Sequence, residues 1–423
     1  MKIRINRRAI IQYLLLYLLL ITNSSQIYRL YIDNNTTIQF FIIVVLSVFL
    51  ITKHWKKSKR AFFLCVFIAA ITGLIRVVQG GIGIIFCFEI IIKVLVIYAA
   101  ILVDSNSFMT RFIKIVSLFA AISIVGWAQQ VIGLDLMTRF ASPHPDYYMN
   151  VSWETGYRVA SQYKIYGILF YTTSQVEAMR NMGFYSEPGI YQMVLNSAIL
   201  ILLFFNNGLD ISQRSIKRYL LICIIALILT QSTSGYFGLA VILLGVMMNT
   251  ANETKSIKNT ILLLCVIGVV ALFADLSVRG ETSLLYKAII SKVFSDKGHL
   301  DINASTGMYR MASIAMCIQA MIQNPFGMGI DRWTEFMSTN LLAGPGGWPF
   351  KLGVYIGVLP MIVSMVWLFG PLKYIKKHRI AILLIIFLYF NTSLAQTSAF
   401  YPVLIMIPVL LSIMKFDIIS SKI

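Results

Sequence analysis

Acidic residues are scarce in this chain: 17 Asp and Glu stand against 36 Lys and Arg among 423 residues, and all charged residues together make up 13%. That poverty of charge excludes a soluble globular protein, because a hydrophobic fraction of 58% is more apolar surface than a water-facing fold of this length can bury. Cysteine is also rare. Cys65, Cys87, Cys223, Cys265 and Cys317 form no CxxC and no Cys/His spacing, so neither a zinc site nor a disulfide framework is indicated, and buried free thiols are expected. No Asp-x-Asp pair occurs, so the divalent-metal site of nucleotide-sugar transferases is not indicated; no metal and no cofactor are expected. The alternating pattern of an outer-membrane barrel is missing, as is any internal repeat. Lys2, Arg4, Arg7 and Arg8 precede the first apolar run without a small-residue cleavage site, so that run reads as a retained first helix.

What is present is one long apolar segment after another, with a mean hydropathy of +0.79. Backbone groups in hydrocarbon must be satisfied within their own segment, so the segments are expected to be helices. The expected fold class is all-α: a polytopic membrane protein of about twelve transmembrane helices with two large external loops. The expected spans are 9–22, 38–52, 61–78, 82–103, 112–133, 188–206, 218–231, 234–249, 259–275, 351–370, 379–391 and 394–414. Residues 1–134 thus carry helices one to five and 135–187 the first external loop. Residues 188–275 carry helices six to nine, and 276–350 form a second external loop with an amphipathic helix. Residues 351–423 carry the last three helices and a cytoplasmic tail.

The net charge of +19 does not point to nucleic acid. The basic clusters at 53–60, 214–218, 255–258 and 373–379 fall in short connections, where Lys and Arg hold loops in the cytoplasm. With the N-terminus inside, these clusters stay inside, both termini are cytoplasmic, and the two long loops face out. The expected location is the bacterial inner membrane.

Charges within spans are costly and ask for a reason. Arg76 stands near the outer end of the third span. Glu89 and Lys93 are four apart in the fourth and share a helix face, either as a structural ion pair or as lining of a polar cavity. The first loop holds Arg139, His144, Asp146, Trp153, Glu154, Arg158, Lys164, Glu177, Arg180 and Glu187, with seven tyrosines from Tyr147 to Tyr185. Aromatic faces with nearby carboxylates suit sugar rings; tyrosine also collects at membrane interfaces. The loop ends in Phe184-Tyr185-Ser186-Glu187-Pro188-Gly189. Ser186 can cap the following helix, and Pro188 suits its first turn. Glu187 either favours the helix N-terminus or serves as a general base at the membrane surface. The second loop carries Arg279, His299, Arg310, Asp331, Arg332, Trp333 and Glu335. Residues 308–323 are apolar at helical spacing, and Asn324-Pro325-Phe326-Gly327-Met328-Gly329 ends them.

Three stretches carry a resemblance. Ser186-Glu187-Pro188-Gly189 stands before a span and Thr230-Gln231-Ser232-Thr233-Ser234-Gly235 between two spans, while Arg310 precedes Asn324–Gly329. In this order they resemble the O-antigen polymerase and ligase superfamily, and the span layout is similar to its Wzy-type polymerases. The resemblance implies a GT-C-like architecture and a metal-independent glycosyltransferase of surface polysaccharide synthesis. Such an enzyme moves the growing chain from undecaprenyl diphosphate to the non-reducing end of a new lipid-linked repeat unit. Its partners would be undecaprenyl-diphosphate-linked oligosaccharide and membrane lipids, with a chain-length regulator and a flippase as candidate protein partners. On physical grounds Arg310, then Arg180 and Arg279, would hold the diphosphate, since guanidinium forks match phosphate geometry. Glu187 leads as general base, with His299 and His144 as alternatives. Arg158, Tyr185 and Trp333 are the candidates for sugar contact. Two departures stand out. Some members carry Arg or Lys in the turn corresponding to Ser232–Ser234, and here there is none. Ligases carry a histidine before the tenth span, and residues 340–350 have none, which favours a polymerase. A lipid-linked oligosaccharide flippase and a membrane anchor or assembly factor are the competing readings.

Overall fold

Proline, glycine and small polar residues cut the apolar sequence into helices, and each cut is visible. The computed structural model describes residues 7–25, 27, 28, 32, 35–52, 58–78, 84–133, 141–151, 159–166, 171–174, 180–248, 274–283, 286, 306–338, 347–375, 379–394 and 401–413. His144 is described in backbone only; His299, Arg158 and most of the expected ninth span lie outside the described residues, as do the side chains of Arg76 and Arg310.

The helices run in chain order as α1 (Arg7–Ile21), α2 (Thr36–Thr52), α3 (Lys59–Val78), α4 (Ile84–Val103) and α5 (Phe108–Ile132), then α6 (Pro188–Phe204), α7 (Gln213–Leu229) and α8 (Thr233–Met248). Next come α9 (Thr306–Gln323), α10 (Gly329–Ser338), α11 (Phe350–Ile356), α12 (Val358–Phe369), α13 (Arg379–Ser393) and α14 (Pro402–Ile413). Among the described residues one helix, α5, passes as both long and apolar enough to cross a membrane, and eight shorter apolar helices run 10–17 residues.

Local chemistry sets the boundaries. Gly133 ends α5 in the left-handed region at φ 72°, where its N–H reaches the carbonyls of Gln129 and Gln130. Ser212 caps α7 by accepting from the Ser215 N–H. Pro188 opens α6, as its fixed φ and missing N–H favour. The cap of α6 is Glu187 in extended conformation, one residue later than the expected Ser186.

Two features depart from an all-helical chain of unbroken spans. Residues of the expected first loop form a three-stranded antiparallel sheet, β1 (Ala141–Val151), β2 (Val159–Tyr166) and β3 (Tyr171–Ser174), in the order β1-β2-β3. Tyr171 anchors it to the bundle: the ring lies over Gly126 of α5, where any side-chain carbon would stand 2.8 Å from the ring, and its hydroxyl donates to Gln130 at 2.8 Å. The expected tenth span is broken. Gly357, at φ 101°, separates α11 from α12, and the Asn324–Gly329 turn docks at the break. Met328 N–H donates to the Val354 carbonyl at 2.8 Å, and Val358 N–H donates to the Pro325 carbonyl at 2.9 Å. The backbone groups left over by the interruption are thereby satisfied.

The main core joins α1 to α8 with α13 and α14 around side chains such as Leu16, Phe112, Leu195 and Val409. A smaller core unites Ile71 and Ile75 of α3 with Cys317 and Met321 of α9, Trp348 and Leu352. Glycine lets α8 lie close to its neighbours. A side chain at Gly235 would meet Gln192 of α6 at 2.9 Å, and one at Gly245 would meet Leu384 of α13 at 2.8 Å.

The bundle has two chemically distinct ends. Lys59 and Arg60 open α3, Arg214, Lys217 and Arg218 open α7, and Arg379 opens α13. Hydrogen bonds tie this end together: Ser58 to the Ser412 carbonyl, and Asp210 N–H to Thr110. At the opposite end, Asn23 after α1, Ser24, the 180–187 segment, the end of α7, the start of α8 and the end of α13 come together.

Candidate functional site

The two short stretches 186–189 and 230–235 lie at the same end of the bundle, away from the basic clusters, and Gln192 of α6 links them, donating to Gly189 O and packing against Gly235. Arg180 makes the junction. Its Nε donates to the Thr230 carbonyl at 3.1 Å and its Nη2 to the Gln231 carbonyl at 3.2 Å. The next residue, Asn181, sends its backbone N–H to the Leu229 carbonyl at 2.9 Å. Three consecutive carbonyls at the C-terminus of α7 are therefore taken by two consecutive residues. Such carbonyls carry the negative end of the helix dipole and favour a cation. The turn between α7 and α8 has no basic residue of its own, and Arg180 brings a half-buried guanidinium to it from 50 positions earlier in sequence.

The turn itself is tightly made. Gln231 adopts a positive φ of 49°. The Thr230 hydroxyl donates to Leu227 O and accepts from Ser232 N–H, while the Ser232 hydroxyl accepts from Gly235 N–H at 3.4 Å. Asn196 of α6 donates to Gly235 O, and Asn391 of α13 donates to Ser234 O at 2.8 Å. Both α6 and α13 thus hold the start of α8.

Glu187 sits at the other end of the 180–187 loop. It is half-buried, its carbonyl accepts from Ile190 and Tyr191, and no side-chain cap hydrogen bond to the α6 backbone is made. The loop is held from below by an aromatic stack. Phe184 and Tyr185 lie 4.5 Å apart between ring centroids, and Tyr185 and Tyr191 5.7 Å apart. Tyr185 is 1% exposed, so its ring belongs to the support of the loop and is not presented to solvent; burial, then the neighbouring Tyr191 and Tyr17 hydroxyls, raises its phenol well above its ordinary value. The backbone of this segment joins α1: Tyr185 bridges Ser25, and Ser186 N–H donates to Ser24 O at 3.4 Å.

The remaining candidates distribute as follows. Lys93 and Glu89 are ion-paired along one face of α4, and the Lys93 ammonium lies over the Tyr28 ring at 5.6 Å. Arg279 closes a short helical segment, is 68% exposed and stands 3.4 Å from Asp275. Trp333 of α10 is buried and stacks on Phe336 at 5.8 Å. Arg310 occupies the second turn of α9, three residues before buried Ser313; only its backbone is described.

Sequence reading passed over three groups at this end. Asn181 and Asn391 are short polar residues in apolar surroundings, and only their hydrogen bonds reveal them. Lys351, at the start of α11, is 7% exposed and packs near Gly347 and Cys317. Gly347 N–H donates to the Leu394 carbonyl, which ties this segment to the end of α13 one turn beyond Asn391. A lysine inside an apolar segment is the signal that could have found it. Among the described residues no cluster of His, Cys, Asp and Glu could hold a metal ion.

No family model matches the chain, and no curated protein or solved structure is detectably similar to it.

Proposed function

We propose that this protein is a polymerase of lipid-linked oligosaccharide repeat units, acting at the outer face of the bacterial cytoplasmic membrane, with its helices as spans and both termini inside. The observation that carries the reading is Arg180, fixed on the Thr230–Gln231 carbonyls at the end of the bundle that also holds the Ser186–Gly189 stretch. The reaction transfers the growing chain from undecaprenyl diphosphate to a hydroxyl of the next lipid-linked unit. Negative charge grows on the departing diphosphate, and a guanidinium held in place stabilises that charge without first having to be ordered. Glu187 is positioned on the same loop as the base for the acceptor hydroxyl. Support for the outward orientation comes from the basic residues gathered at the opposite end of the bundle.

The test is a gel of surface polysaccharide from a strain lacking the gene, complemented with wild type or with Arg180→Ala. A single repeat unit without a ladder in the deletion, restored by wild type and not by Arg180→Ala at equal membrane abundance, is the expected result. Loss of all surface sugar, with lipid-linked units trapped inside, would make the protein a flippase. A full ladder retained on the carrier lipid would make it a ligase.

A further inference from the structure

We infer that Asn181 is the positioning residue of this site, acting through Arg180 and Glu187; the inference rests on the polymerase reading above. Asn181 is fully buried, and its polar groups are committed in three directions. The backbone N–H binds Leu229 O, which sets the register that places Arg180 on Thr230 and Gln231. The side-chain Oδ1 accepts from Gly183 N–H at 3.0 Å, closing an Asx turn. Gly183, at φ 56°, turns the chain back toward Glu187, and a side chain there would stand 3.1 Å from the Tyr191 ring. The Nδ2 donates to Ser123 Oγ of α5 at 3.0 Å.

Ser123 is saturated. Its hydroxyl donates to the Ala120 carbonyl at 2.9 Å, so the Tyr191 hydroxyl, 2.8 Å away, is the donor to Ser123. Tyr191 also gives its N–H to the Glu187 carbonyl. One buried residue therefore ties both ends of the eight-residue loop: its backbone N–H holds the end of α7 beside Arg180, and its side-chain amide shapes the turn at Gly183 and reaches Ser123, which Tyr191 at the start of α6 shares. Burying an amide in an apolar bundle costs free energy unless its polar atoms are satisfied, and the Asn181 amide is hydrogen-bonded through both its oxygen and its nitrogen.

The experiment is a double-mutant cycle on full-length protein in lipid nanodiscs, with undecaprenyl diphosphate as the probe and thermal melting followed in parallel. Arg180→Ala should weaken binding about tenfold or more, as loss of one charge-assisted fork does. Asn181→Ala should weaken it by a similar factor when Arg180 is present and by less than about twofold in the Arg180→Ala background. Equal loss in both backgrounds would make Asn181 merely structural and overturn the inference. If Arg180→Ala itself leaves binding unchanged, the polymerase site is misassigned and the inference falls with it. Should Asn181→Ala fail to fold, Ser123→Ala removes the acceptor of the Asn181 Nδ2 directly and is expected to show the same non-additivity with Arg180→Ala; additivity there overturns the inference equally.

Discussion

Arg180 and Glu187 lie on one loop but are held by different chemistry, and their substitutions should separate accordingly. Arg180 terminates α7, so its removal combines loss of charge with loss of helix-end hydrogen bonds of about 1.5–3 kcal/mol to a charged donor. Glu187 makes its helix contact through the backbone carbonyl, which Gln retains. Glu187→Gln is therefore expected to cut polymerisation strongly while membrane abundance and melting temperature stay at wild-type values. A collapse in abundance would show that the carboxylate is needed for the fold. Cys317 offers a residue-scale probe of the second core. Burial, opposed by the nearby Lys351 charge, pushes its thiol up to about 12 from an ordinary 9.0. At pH 8 the thiolate is a negligible fraction, and maleimide should label Cys317 only after denaturation. Because the folded value lies above the unfolded one, this thiol's contribution to stability is complete below pH 9 and fades as pH rises toward 12.

At the scale of elements, the break between α11 and α12 makes a contrast between two glycines. A side chain at Gly327 would stand 2.7 Å from the backbone N of Gly357, at a φ of 90° that L-residues rarely adopt. A side chain at Gly353 would instead meet the sulfur ends of Met321 and Met361, which can rotate away. Gly327→Ala should cost more than about 1–3 kcal/mol and Gly353→Ala much less, in chemical or thermal unfolding followed by tryptophan fluorescence. Equal costs would mean that the turn is not docked as described. The elements also mark what a sequence can and cannot disclose. Pro188 at the head of α6, the Glu89–Lys93 spacing and the helix ending at Gln323 are local facts, set by residues within one or two turns, and were readable. The break at Gly357 was not, because an apolar run averages over a single glycine, and its meaning lies in Pro325 and Met328 thirty residues away. The small sheet was hidden for a related reason: its tyrosines satisfy an interfacial loop and a strand equally well.

For the whole molecule, the decisive fact is the opposition of two ends, one basic and the other built from polar turns. The charge pattern foretold which segments share an end; it could not foretell that Arg180 reaches α7, since that contact spans 50 positions and depends on how α5, α6 and α7 pack. The orientation can be measured directly. In a variant freed of native cysteines, Arg214→Cys should react with a membrane-impermeant thiol reagent only after cells are opened, and Asp331→Cys should react on intact spheroplasts. The reverse pattern would place the Arg180 turn in the cytoplasm and end the polymerase reading.

The grip of α7 on Arg180 has a thermodynamic consequence. A free arginine on a surface gives up about 2 kcal/mol of rotamer freedom when it closes on a phosphate. Here the Thr230 and Gln231 carbonyls have frozen that freedom during folding, so an anion arriving at this end of the bundle meets a preorganised partner, and the discrimination it experiences is one of shape as much as of charge.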